Sequence, residues 1–268
     1  MDKLKNDEIR SAVRENYGKV AASGQTGCCC GGSSCCGEPS LVKAEDVSIG
    51  LGYSGEDVAG VPEGANMGLG CGNPQAIASL QPGETVLDLG SGGGFDCFLA
   101  ARAVGDKGYV IGVDMTPEMI TKSRRNAEEA GFGNVDFRLG ELENLPVADG
   151  TIDVIISNCV INLSPEKERV FKEAFRVLKT GGRLAISDVV ATAELPDAVM
   201  KDMAMYTGCI TGASFIPELE TMLKRTGFEN IQIMPRDESR TFIRDWVPGS
   251  KIEDYVVSAT IEAVKLQA

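Results

Sequence analysis

Short apolar runs alternate with amphipathic segments through the middle of the chain, and most runs close on glycine or an acidic residue. Val86, Leu87 and Leu89 form the first run and predict a buried parallel strand. A glycine-rich turn follows, then an apolar-rich helical pattern over Phe95–Val104. Residues 109–113 read as a second strand, and Pro117–Ala130 as a helix with proline in its first turn and Gly131 past its end. Val135–Leu139 predicts a third strand and residues 152–157 a fourth, after a turn over 148–151. A helix over 165–179, with Phe171, Phe175 and Leu178 inward, then leads to a fifth strand over 183–190. Strands and helices alternating in this way specify a doubly wound, mostly parallel α/β sheet.

The flanks are less regular. Ile9, Val13, Tyr17 and Val20 recur at helical spacing, so residues 6–22 predict an amphipathic helix lying on the core. Residues 42–72 read as irregular, with helical turns at 44–47 and Gly55–Ala59, before a helix over 73–80. After the fifth strand, residues 197–208 look helical, with Met200, Met203 and Ala204 on one side as core. A helix over Ile216–Thr226, a strand over 231–234 and a closing strand over 255–266 complete seven strands. The expected division is 1–79, a nucleotide-binding core over 80–192, and 193–268 completing the sheet.

The glycine spacing discriminates between cofactors. A dinucleotide turn of the form G-x-G-x-x-G starting at Gly90 needs glycine at position 95, which is Phe95. Gly90, Gly92 and Gly94 instead give G-x-G-x-G after Asp88, which resembles motif I of the class I S-adenosylmethionine-dependent methyltransferases. Asp114 ends the second strand, where a carboxylate accepts hydrogen bonds from a ribose diol; its alternative role is to cap the helix from Pro117. Gly140 and Glu141 follow the third strand, where the adenine usually lies; a solvated turn is the alternative. The implied cofactor contacts are Asp88, Gly90, Ser91, Gly92, Asp114, Met115, Gly140, Glu141 and Asn158.

Charge and composition narrow the partners. The net charge of the 268 residues is −13, and no basic cluster interrupts it, which argues against nucleic acid or an anionic membrane surface. The first ten residues are charged and no apolar run reaches membrane length, so a cytoplasmic protein is expected. There, nine cysteines serve as thiols for metal or redox chemistry more often than as a disulfide framework. Histidine is absent, which removes the commonest general base at neutral pH and the histidine-containing triads.

The cysteines fall into three settings. Cys28, Cys29, Cys30, Cys35 and Cys36 crowd a low-complexity segment, readable either as soft-ion capture or as a tail of reactive thiols. Cys97 lies inside the first core helix and reads as structural. Cys71 stands between two glycines, Cys159 just past the fourth strand, and Cys209 in a glycine-flanked loop. A packing role is the alternative for each.

With those three in place, the chain resembles the arsenite methyltransferases. The matching stretches are GLGCGNP from Gly68, VLDLGSGGGFDCF from Val86, GVDMT from Gly112, SNCVINLSPEK from Ser157, VLKTGGRLAISDV from Val177 and GCITGA from Gly208. The resemblance implies a Rossmann-like, seven-stranded methyltransferase sheet with additions at both ends, and S-adenosylmethionine as methyl donor. It also implies arsenite and methylated trivalent arsenicals as substrates, and Cys71, Cys159 and Cys209 as the arsenic ligands. An N-terminal redox cysteine is implied as well, with thioredoxin or glutathione as reductant, but five cysteines compete for that place. Trivalent arsenic prefers thiolates, and its own lone pair can attack a methyl sulfonium, so no base is needed. Cys159 is expected over the cofactor, and Cys71 on a flexible glycine loop outside the sheet. A methyltransferase acting on a quinone-like or sterol-like acceptor and a non-enzymatic metalloid-binding protein are the rival classes.

Overall fold

The strand Thr85–Leu89 (β1) runs through the interior, and its side chains are buried from Val86 onward. The computed structural model describes residues 3–23, 43–196, 199, 203–247 and 249–266. Leu87 and Leu89 join Ile111, Val113 and Ile155 against Phe171 and Val177 of the helix Lys167–Val177. Val86 points the other way, joining Val110, Val154 and Ile156 against Phe98, Ala101 and Val104 of the helix Phe95–Val104. Strand side chains alternate between faces, so a strand covered by helices on both sides must be apolar throughout. This is why β1 reads as one apolar run interrupted only by Asp88.

The strands after β1 are β2 (Tyr109–Asp114), β3 (Val135–Leu139), β4 (Ile152–Asn158), β5 (Leu178–Ala191), β6 (Ser214–Phe215), β7 (Glu229–Arg236) and β8 (Val256–Val264). Their order across the sheet is β3-β2-β1-β4-β5-β8-β7, and the two-residue β6 pairs with β5 off that path. The pairs β1·β2, β1·β4, β2·β3 and β4·β5 are parallel. β8 inserts antiparallel between β5 and β7. The expected seven-stranded, mostly parallel sheet is therefore present. From β1 the chain winds to β2 and β3 on one side and to β4 and β5 on the other. The crevice at this reversal, outside the C-terminal ends of β1 and β4, is where doubly wound sheets bind ligands.

Local differences from the periodicity have identifiable causes. The helix expected over 73–80 is only Gln75–Ala78, because Ser79 turns left-handed at φ 48°. Arg183 from β5 draws the chain there, donating from Nε to the Ala78 carbonyl at 2.8 Å and from Nη2 to the Ser79 carbonyl at 2.9 Å. The first helix, Lys3–Ser23, packs Ile9 and Val13 into an apolar cluster above the sheet. Of the helix expected over 197–208, Met203–Thr207 is helical, and Met200 lies outside the described residues. The cluster of Cys28, Cys29, Cys30, Cys35 and Cys36 also lies outside them. No helix among the described residues is long and apolar enough to cross a membrane.

Candidate functional site

The turn after β1 opens a cavity at the switch point. Gly90, Ser91, Gly92 and Asp114 line it with Asp88, Asp96, Met115, Asn158 and Cys159, while Arg10, Val13 and Tyr17 of the first helix form part of its wall. Gly92 sits at φ +50°, and a Cβ built there meets nothing within 4 Å, so a ligand has room against that backbone. The Gly92 N–H donates to Asp114 Oδ2 at 3.0 Å, and the Thr116 N–H to Oδ1 at 2.8 Å. Two buried polar atoms on the lining, Ser91 Oγ and Asn66 Nδ2, lack a hydrogen-bond partner among the described residues. Buried polar groups are normally paired, so both fit a ligand carrying hydroxyl, carboxylate or amine groups.

The floor of this cavity is acidic. Burial raises the carboxyl groups of Asp88, Asp96 and Asp114, and Asp96 reaches about 6. Tyr53 Oη donates to Asp96 at 2.8 Å, and Gln75 Nε2 at 3.3 Å, which favours its ionised form against that burial. The Cys97 thiol donates to Asp88 Oδ2 at 3.2 Å from inside its helix, a local, structural contact. Carboxylates gathered in one pocket favour a cationic ligand.

Beside the cavity lie three buried thiols, Cys71, Cys159 and Cys209, in one apolar cluster. Cys159 stands between the others: its thiol interacts with those of both Cys71 and Cys209. Cys159 is also the one of the three that lines the cavity. The Cys209 thiol raises the stability of the Cys159 thiolate, but Cys71, burial and Asp188 outweigh it and hold the Cys159 pKa well above the ordinary thiol value. Cys209 is raised by Cys159 and by burial. Both are thiols at neutral pH, so a ligand must displace their protons.

Each thiol is positioned by a different element. Cys71 is not on a flexible loop, as its glycine neighbours suggested. Its N–H donates to Asn158 Oδ1 at 3.0 Å, Asn158 Nδ2 donates to the Gly72 carbonyl at 2.8 Å, and Ser258 Oγ of β8 donates to the Cys71 carbonyl at 2.7 Å. Those bonds staple the loop between the end of β4 and the closing strand. Cys159 follows β4 directly, with its N–H on the Ser187 carbonyl of β5 at 2.8 Å. The Cys209 loop approaches so closely that a Cβ on Gly212 would stand 2.0 Å from the Asn162 carbonyl. Lys167 holds this loop through the Gly212 carbonyl and, at 2.8 Å, Ser214 Oγ.

Most of the residues singled out in the sequence converge here. Gly140 and Glu141 do not line the cavity; that segment enters it with Leu142 and Glu143. Glu141 instead pairs with Arg14 at 3.3 Å, and a Cβ on Gly140 would press on Pro146 at 2.7 Å. Glu143 and Arg10 carry no local motif, and Asp188 lies inside the VLKTGGRLAISDV stretch with no role of its own assigned there. Arg10 meets Glu143 across 133 positions of sequence, and no local pattern reports such a separation.

Residues 80–234 match the family model of a methyltransferase domain. The chain is 55% identical over 97% of its length to an arsenite methyltransferase from Halobacterium salinarum, covering 67% of that protein. It is 37% identical over 96% of its length to an arsenite methyltransferase from Aquipseudomonas alcaligenes, covering 72% of it. Among solved structures, the arsenic(III) S-adenosylmethionine methyltransferase of Chlamydomonas reinhardtii superposes with a TM-score of 0.62 at 32% identity, covering 84% of this chain and 75% of that one.

Proposed function

The chain belongs to the arsenite methyltransferases, S-adenosylmethionine-dependent enzymes of the class I methyltransferase fold, and from that premise we propose that it methylates trivalent arsenic held by Cys71, Cys159 and Cys209. The observation that carries this reading is the meeting of three buried thiols, one on the wall of the switch-point cavity. Arsenic(III) is soft and forms strong bonds to thiolates. Arsenite has three exchangeable oxygens, each of which leaves as water with the proton of the incoming thiol. That stoichiometry answers the raised thiol pKa values: arsenic–sulfur bond formation drives the deprotonation.

The cofactor's sulfonium supplies an electrophilic methyl group. Around it, Asp114 would accept from the ribose hydroxyls, while Ser91 and the backbone of Gly90 and Gly92 cradle the polar amino-acid end. Asp88 and Asp96 would offset its positive charge, and Met115 and Asn158 border the same cavity. Cys159 would bring the arsenic lone pair toward the methyl group. No protein base is required, because the nucleophile carries no proton. Holding donor and acceptor in line can account for about 7–11 kcal/mol of the barrier.

Each transfer formally oxidises arsenic by two electrons. An external thiol reductant such as thioredoxin or glutathione would return it to the trivalent state, acting in the cytoplasm as part of arsenic detoxification. Incubation with arsenite, S-adenosylmethionine and thiols, followed by separation of the arsenic species, tests the reading. Methylarsenicals should form with wild type and not with Cys159→Ser. Turnover unaffected by that substitution would refute the thiol site.

A further inference from the structure

Methyl transfer to arsenic leaves one group at the thiol site without a task. Asp188 of β5 is buried, and a carboxylate oxygen of Asp188 and the sulfurs of Cys71 and Cys159 all lie within 4.8 Å of one another. We propose that Cys71, Cys159 and Asp188 form a binding site for a thiophilic divalent cation of the Zn2+ or Cd2+ type, with a water as fourth ligand. The proposal uses two thiols of the proposed arsenic site, but it stands on this donor set and not on the methylation chemistry.

The spacing suits such an ion. With bonds of about 2.3 Å to sulfur and 2.0–2.2 Å to oxygen, ligand atoms around a tetrahedral cation stand slightly under ~4 Å apart. The present cluster, within 4.8 Å, needs to contract by about 1 Å to reach that distance. The carboxylate is already oriented. Oδ1 accepts from Asn162 Nδ2 at 2.9 Å and the Val189 N–H at 2.7 Å, and Oδ2 from the Ile161 N–H at 3.0 Å. The Asn162 N–H also acts on this carboxylate, so its orientation is set before any ion arrives. Supporting bonds of this kind are what fix ligating carboxylates in metal sites.

The charges also close. One divalent cation, two thiolates and one carboxylate sum to −1, and the Lys167 ammonium, which acts electrostatically on Asp188, supplies the balancing charge. Binding releases two thiol protons to solvent and oxidises nothing. The cation can arrive as any ligand of Cys159 must, through the cavity that Cys159 lines.

Electron count separates the cation from the metalloid. Arsenic(III) makes three bonds and keeps a lone pair, so three sulfurs saturate it and Asp188 is surplus. A d10 divalent cation has no such lone pair and takes four ligands. Asp188 is therefore the residue that distinguishes the two, and a bound cation should exclude arsenite.

The test uses the full chain with Cys28, Cys29, Cys30, Cys35 and Cys36 replaced by serine, reduced and titrated with Cd2+. Thiolate-to-cadmium absorbance should saturate at one equivalent, and arsenite should compete for the site. Asp188→Asn should weaken Cd2+ at least tenfold by calorimetry while arsenite affinity changes less than threefold; Cys71→Ser should lose most of the absorbance. Unchanged Cd2+ affinity in a folded Asp188→Asn, or cadmium and arsenite bound together, would overturn the proposal. Circular dichroism checks that Asp188→Asn folds; if it does not, Cys71→Ser and the competition decide. Cadmium binding with this residue dependence, but no arsenite binding to the parent, would retire the arsenic reading and leave the cation site standing.

Discussion

Cys159 and Cys209 both hold positive φ, 60° and 63°, a region where residues other than glycine carry a backbone cost of about 1–3 kcal/mol. A glycine would satisfy either turn with less strain, so the thiol is what these positions gain from cysteine. Their order in space also sets what each can do. Methylarsonous acid has one arsenic position filled by carbon and can bind only two thiols, and Cys159 interacts with both of the others. Cys159→Ser should therefore abolish methylation of arsenite and of methylarsonous acid alike. Cys71→Ser should block arsenite but keep methylarsonous acid on the Cys159–Cys209 pair; wild-type rates on arsenite would exclude Cys71 as a ligand. At the cofactor side, Asp114→Ala should lower S-adenosylmethionine affinity by about 1–3 kcal/mol through unpaired polar groups. Gly92→Val should weaken it more, since its side chain would fill the open space beside Gly92 where the cofactor is expected. Calorimetry showing unaltered binding in both variants would move the cofactor elsewhere.

At the scale of elements, the helix Lys3–Ser23 is tied to the site by charge. Arg10 donates from Nη2 to Glu143 at 3.2 Å and to Glu166 at 2.5 Å, and Tyr17 Oη donates to the Thr207 carbonyl at 3.2 Å. Arg10→Ala leaves Glu143, 6% exposed, with Ser164 Oγ as a remaining partner at 2.6 Å. The expected loss is about 1–3 kcal/mol of stability with weaker cofactor binding, read by thermal melting with and without S-adenosylmethionine; an unshifted melt would mean that the helix does not depend on the pair. The helix itself was legible from Ile9, Val13 and Tyr17, because burial of one face imposes a 3.6-residue period. Its grip on the cavity was not, since Arg10 and Glu143 meet only after folding. The same divide runs through the whole site. Gly90, Gly92, Asp114 and the glycine-flanked cysteines were legible because tight turns and strand ends demand particular residues locally. Ser79 reads as helix by its pattern, but Arg183 claims its carbonyl. Glu141 was favoured over Leu142 and Glu143 because sequence gives the loop but not which of its residues turns inward.

For the whole molecule, buried acids predict how stability and ligand binding oppose each other with pH. Burial raises Asp96 and Asp188 from 3.8 to about 6, so the fold holds their protons more tightly than the unfolded chain does. A raised acid destabilises the fold fully above its folded value, and that penalty is relieved as pH falls from about 6 toward 4. A rise of that size corresponds to roughly 3 kcal/mol for each group. Glu173 works in the other direction: its bond to Arg176 lowers its pKa, so its contribution is present at neutral pH and lost as acid protonates it. The ligand-free protein should thus melt higher near pH ~5.5 than near pH ~7.5, before acid reverses the gain. Binding of a cationic cofactor beside Asp96 favours the ionised carboxylate, so S-adenosylmethionine affinity should rise as pH increases through about 6, with net proton release. Calorimetry in two buffers of different ionisation enthalpy measures that release directly. A pH-independent dissociation constant between about 5.5 and 7.5, with no proton exchanged, would place the cofactor's positive charge away from Asp96.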